Sequence, residues 1–226
     1  MNFTGKAKRL DDIDLPRIAA RIGVGEDEIH AVLEAETSGR GFDAKGRPRM
    51  LFEPHVFWRE LGPGPLRDAA VKAGLAYPKW RRDYPKDSYP RLMKAMDIHY
   101  EAALRSCSWG LGQIMGFNCV AAGYPTAHDM VQDFLDDEEN HLNAMVTFII
   151  QAKLAGFLRA RDWKGFARGY NGPGFAKNGY DRKLSAAFDR WQKIKDTPYT
   201  PGKIVTEPRI RDVALTVPGQ RDGGQA

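Results

Sequence analysis

Long apolar runs are missing from this sequence, and cysteine is scarce. No stretch approaches the roughly 18 apolar residues of a membrane-spanning helix, so stable membrane insertion is not expected. The start, MNFTGKAKRLDDIDL, has no apolar segment after its lysines and shows no signal peptide. Synthesis and folding in a cytoplasm follow as the expectation. Cys107 and Cys119 are the only cysteines. A chain of this size does not call for a disulfide, so packed, reduced thiols are expected. The histidines, His30, His55, His99, His128 and His141, fall at no paired metal-ligand spacing, and EENH is not a zinc motif. No metal and no cofactor are expected. Internal repeats and low-complexity blocks are also absent.

What is present is the composition of a globular protein. The 226 residues are 42% hydrophobic and 28% charged, enough for one or two domains with a well-covered core. Against 34 basic residues stand 29 acidic ones, a net charge of +5, with a pI near 9.2. Mild cationic character suits a polyanionic partner such as a bacterial wall, an anionic membrane surface or nucleic acid. The bases are scattered, as in KWRRD and RARDWK, and no nucleic-acid motif accompanies them, so nucleic acid is not expected as a partner.

The apolar spacing is mainly helical. DLPRIAARIG carries an acidic residue and Pro16 at a helix start and Gly23 at its stop. GEDEIHAVLEAE reads as a second helix, and EPHVFWREL as a short one opened by Pro54. SYPRLMKAMDIHYEAALRS places Tyr89, Leu92, Met93, Met96, Tyr100 and Leu104 on one helical face. ENHLNAMVTFIIQAKLAG does the same with Leu142, Met145, Val146, Ile149 and Ile150, and Gly156 is its expected terminator. YDRKLSAAFDRWQKI is a last helix. Between the second and third lies a turn-rich excursion near residues 39–52, read as a loop or small β-hairpin around DAKGR. From Thr197 the chain is rich in Pro and Gly and lacks periodicity. The expected organisation is one helical domain over 1–195 and an extended tail over 196–226.

That excursion is bounded by carboxylates: EAETSGRGFDAKGRPRMLFE. On a helical wheel Ile29, Val32 and Leu33 mark the apolar side, and Glu36 falls in the middle of it. Desolvation there would raise its pKa, as a general acid working near neutral pH requires. The structural alternative is a glutamate that turns outward where the helix frays. Glu53 follows MLF and precedes Pro54, where an acid is equally a helix cap. Asp43, in GFDAKG, is a third candidate, with turn chemistry as its ordinary role.

Four segments taken in order carry a resemblance. AVLEAETSGRGF sets Glu36 in an E-T-S-G context, MLFEPHVF holds Glu53, CSWGLGQIMGFN holds Ser108, Trp109 and Gln113, and FARGYNGPGF holds Tyr170 and Asn171. The chain resembles lysozyme-like transglycosylases, and more closely the N-acetylmuramidase domain of phage endolysins, over roughly residues 12–194. The resemblance implies a mainly α, two-lobed, lysozyme-like fold with a glycan groove. It implies hydrolysis of the β-1,4 bond between N-acetylmuramic acid and N-acetylglucosamine in peptidoglycan; a monomer is the expected state. Glu36 would be the acid and Glu53, or else Asp43, the second carboxylate. Gln113, Tyr170, Asn171, Trp109 and Ser108 would contact substrate, with the glycines of SWGLGQIMG letting backbone approach a sugar. A lytic transglycosylase on the same fold, giving 1,6-anhydro products, and a non-catalytic wall-binding module are the alternatives. The resemblance also implies storage in a host bacterial cytoplasm and action on the wall after another protein opens the membrane.

Overall fold

The structure, a computed structural model, describes residues 2–37, 40–81 and 84–200. The expected tail falls outside these from residue 201 onward. The described residues of its start run back to the domain, where the Thr197 amide donates to Glu26 Oε1 at 2.6 Å.

Proline sets several helix starts, because its fixed φ suits the first turn and its missing N–H costs nothing there. Helix α1 (Asp14–Ala19) continues as a 3-10 turn to Gly23, which closes it in the left-handed conformation. Helix α2 (Glu26–Thr37) runs to the edge of the excursion. Strand β1 (Met50–Phe52) leads into α3 (Pro54–Leu61) and α4 (Pro65–Lys72), both opened by proline. The next apolar stripe does not form one helix. It breaks at His99 into α5 (Tyr89–Ile98) and α6 (Tyr100–Arg105). His99 is extended there, and its ring accepts from the Ala102 amide, a side-chain cap that pattern alone does not reveal. Met93 and Tyr100, expected on the buried face, are 56% and 37% exposed.

Strands β2 (Cys107–Trp109) and β3 (Ile114–Met115) form a hairpin from the SWGLGQIM segment. Strand β1 pairs antiparallel with β2, Leu51 opposite Ser108, giving a three-stranded sheet in the order β1-β2-β3. The expected hairpin is thus a tight turn, closed by a bridge between Phe42 and Pro48, whose outgoing arm joins a sheet built from distant sequence.

Helices α7 (Ala127–Phe134) and α8 (Glu138–Gln151) follow, capped by Thr126 and Asp137. Lys153, at φ +59°, ends α8 in the left-handed position expected of Gly156, which lies instead inside α9 (Ala155–Arg159). Helix α10 (Trp163–Asn171) ends at Gly172, and α11 (Tyr180–Trp191) closes the fold. Along α8, Leu142, Met145, Val146 and Ile149 are buried in a core that runs from Phe3 to Leu184. Both cysteines are buried and free.

Helix α2 has two buried sides. Ile29, Val32 and Leu33 face the main core. Ala31 packs with Ala187 and Phe188 of α11. His30 stacks on Trp191 with ring centroids 3.7 Å apart, while Glu34 bonds Arg190 and takes the Trp191 indole N–H at 2.9 Å. A wheel with a single apolar side centred on Glu36 overstates its burial: Glu36 is only half-buried.

Candidate active site

A cleft of about 450 Å³ opens between the end of α2, the 43–50 turn and the 86–89 segment. Glu36, Thr37, Asp43, Arg47, Arg49 and Gln113 are among its lining residues, with Lys86, Asp87, Ser88 and Tyr89 on another wall. Glu36, Gln113 and the alternative carboxylate Asp43 are the sequence-expected candidates in this lining.

Glu36 is aimed by a distant helix. Asn171, the last residue of α10, donates from Nδ2 to Glu36 Oε1 at 2.7 Å. The end of α2 is fixed as well. Thr37 Oγ1 bonds to Leu33 and Leu111 carbonyl oxygens at 3.2 and 3.1 Å, and Arg49 donates to the Thr37 carbonyl at 3.2 Å. A cation on the last carbonyls complements the negative end of a helix.

Gln113 sits in the hairpin turn at φ +47°, a left-handed conformation that costs a non-glycine residue free energy. Its amide is held at both ends: Nε2 donates to the Gly110 carbonyl at 2.9 Å, and Oε1 accepts from Ser108 Oγ at 2.8 Å. Ser108 itself is fully buried. It orients Gln113, which lines the cleft. Trp109 is also fully buried and donates from Nε1 to the Leu104 carbonyl at 3.0 Å, so its ring faces the core rather than a sugar. Tyr170 is buried too, its hydroxyl donating to the Gly112 carbonyl at 2.7 Å. It braces the turn from below. The glycines of this turn serve the same internal packing. A Cβ on Gly112 would come within 2.9 Å of the Tyr170 hydroxyl, and one on Gly110 within 2.8 Å of His141.

His141 underpins both loops. Its Nδ1 accepts from the Leu111 amide at 3.3 Å, which leaves Nε2–H to donate to the Phe134 carbonyl at 2.7 Å. Complete burial pushes its pKa down to about 4, against the opposing hydrogen bond to Phe134. Glu138, one turn earlier on α8, accepts from the Gly41 amide at 2.7 Å.

The other two carboxylates lie in different surroundings. Asp43 shares the cleft with Glu36 and accepts from Arg47 Nε at 2.8 Å and from the Lys45 and Arg47 amides at 2.8 and 3.0 Å. Partial burial pushes its pKa up, but those bonds together outweigh burial and hold it below the ordinary aspartate value. Glu53 is not among the cleft-lining residues; it is 1% exposed, and Oε2 accepts the Tyr84 hydroxyl. Glu53 is thus buried, whereas Asp43 lies at the cleft surface beside Glu36. The Glu53 side chain does not cap α3.

The N-acetylmuramidase family model matches residues 26–192, which include every cleft residue named above. The chain belongs to the N-acetylmuramidase family. This muramidase is also similar to the crystal structure of the Burkholderia AP3 phage endolysin, with 39% identity and a TM-score of 0.72 over 82% of this chain and 72% of that one. No curated protein matches the chain. The likeness bears out the mainly helical, lysozyme-like fold with its small sheet.

Sequence reading missed part of the muramidase cleft. Arg47 lies over the Tyr89 ring at 4.0 Å and reaches Asp87 at 3.1 Å, joining two walls. The spacing of Asp43 and Arg47 hints at one half of that network. Nothing local pairs either with residues 87–89.

Proposed function

We propose that this muramidase cleaves peptidoglycan by hydrolysing the β-1,4 bond from N-acetylmuramic acid to N-acetylglucosamine, with Glu36 as the general acid. The observation that carries the reading is the half-buried Glu36 carboxyl in the cleft wall, with Asn171 fixed on one of its oxygens. Glycoside hydrolysis needs a carboxylic acid aimed at the leaving oxygen and a negative or hydrogen-bonding group for the oxocarbenium-like transition state. Asn171 on Oε1 fixes the orientation of the Glu36 carboxyl in the cleft wall.

For the second group we choose Asp43 over Glu53. Asp43 lines the same cleft and is kept ionised by Arg47, while Glu53 is buried. Two carboxyl groups in contrasting environments divide the acid and base roles. Gln113, locked by Ser108 and Gly110, presents a preset amide edge to the sugar. Among the described residues no helix is long and apolar enough to cross a membrane. We place the action of the protein at the wall, after another agent has opened the membrane.

The test is digestion of purified peptidoglycan by the native chain and by Glu36→Gln, with mass spectrometry of the muropeptides. Reducing N-acetylmuramic ends from the native chain and none from the variant are expected. Anhydro ends would reassign the reaction to a transglycosylase, and an active Glu36→Gln would reassign the acid.

A further inference from the structure

Glu53 stands out once it is removed from the chemistry. A carboxylate at the start of α3 that neither caps the helix nor meets solvent must serve a neighbour. Its Oε2 takes the Tyr84 hydroxyl, and His55 Nδ1 lies 3.3 Å from the same oxygen. Its Oε1 is buried without a hydrogen-bond partner among the described residues. Such a group is expensive to bury, and deleting its donor leaves it worse off. Burial and then the Glu53 charge push the Tyr84 phenol far above its ordinary value, so it remains a donor.

Tyr84 begins the stretch that becomes the cleft wall. Two residues on, Lys86, Asp87, Ser88 and Tyr89 line the cleft. The far end of this stretch is pinned by the Tyr89 hydroxyl on the Pro48 carbonyl at 2.6 Å and by Asp87 on Arg47 at 3.1 Å. The near end has the Tyr84 hydroxyl on Glu53.

We propose that Glu53 is a positioning residue, a buried tether that holds Tyr84 and thereby sets the 86–89 wall against the glycan. This rests on the muramidase reading of the cleft. The tether acts on substrate binding through the wall and takes no part in bond cleavage.

The experiment is steady-state kinetics on a soluble, defined peptidoglycan glycan fragment with Glu53→Gln, Glu53→Leu and Tyr84→Phe, and Glu36→Gln in parallel. Glutamine keeps the oxygen that accepts from Tyr84, so its kcat should stay within about twofold of native. Leucine and Tyr84→Phe, which each remove the bond, should raise KM about tenfold with kcat changed less than about threefold, the pattern of lost uniform binding. A kcat of Glu53→Gln reduced about a hundredfold would make Glu53 a reacting group and overturn the tether. An unchanged KM in Tyr84→Phe would overturn it too, and that variant decides the matter if the Glu53 variants fail to fold. An active Glu36→Gln beside the expected Glu53 pattern would refute the assigned acid and leave the tether standing.

Discussion

Asn171 Nδ2 and Glu36 Oε1 meet at 2.7 Å across 135 residues of sequence, joining the end of α10 to the end of α2. Two helix termini thus converge on the carboxyl that faces the cleft. A donor on a carboxylate favours its ionised form and fixes its orientation.

Asn171→Leu should therefore lower kcat by about tenfold or more through lost orientation. It should also move the alkaline limb of the kcat profile to higher pH, because the ionised form has lost a donor. Rate–pH profiles of the two proteins read both effects. An unmoved limb would mean that the contact does not reach the reacting proton.

Asp43→Asn should reduce kcat by about tenfold or more, since an amide neither stabilises positive charge as a carboxylate does nor takes a proton from water. In the native protein the acidic limb belonging to Asp43 should lie below the ordinary aspartate value of 3.8, the direction in which Arg47 and the turn amides hold the group. Kinetics down the acid range, at temperatures where the fold persists, checks it.

Gln113 offers a comparison of two truncations. Gln113→Ala and Gln113→Gly both remove the amide bonded to Ser108 and Gly110, but only glycine is at ease at φ +47°. The glycine variant should be the more stable by about 1 kcal/mol in urea denaturation. Both should lose activity.

His141 makes a pH prediction. Its folded pKa, about 4, lies below the ordinary 6.5. The unfolded chain therefore binds a proton that the folded chain refuses. Its contribution to stability is intact above 6.5, falls as the pH drops from there towards 4, and changes no further below that. Melting temperature against pH should be flatter for His141→Gln than for the native protein through this window.

Much of the fold was legible where neighbours in sequence decide it. Helices α2, α8 and α11 were written in apolar spacing, and the motifs holding Glu36 and Gln113 do meet at one cleft. Features set by distant residues were not. Strand β1 finds its partner near residue 108 only through the sheet. The break at His99 depends on a single side-chain cap. Helix α4 buries only Ala70 and so has little apolar signature, whereas α7 repeats Ala127, Met130, Val131 and Phe134 at helical spacing and adds a helix to those expected. Glu36 was judged from one buried side of α2, because the pairing of α2 with α11 has no local signature. The buried fates of Trp109, Ser108 and Tyr170 have the same origin. Ser108 and Trp109 point as the hairpin's register with β1 dictates, and Tyr170 as α10 packs against the Gly112 turn.

Phe3 packs edge-on to Tyr89 at 5.0 Å and stacks with Trp109 at 6.0 Å, directly behind the cleft wall. A few residues later the Leu10 amide shares Glu138 with the Gly41 loop, at 3.2 and 2.7 Å. These leading residues precede the stretch that matches the family model. Transplanting only residues 26–192 into another protein would strip Phe3 from both Tyr89 and Trp109 and remove the Leu10 amide from Glu138. A transplanted unit of this enzyme is expected to be more stable when it includes the residues from Phe3 onward.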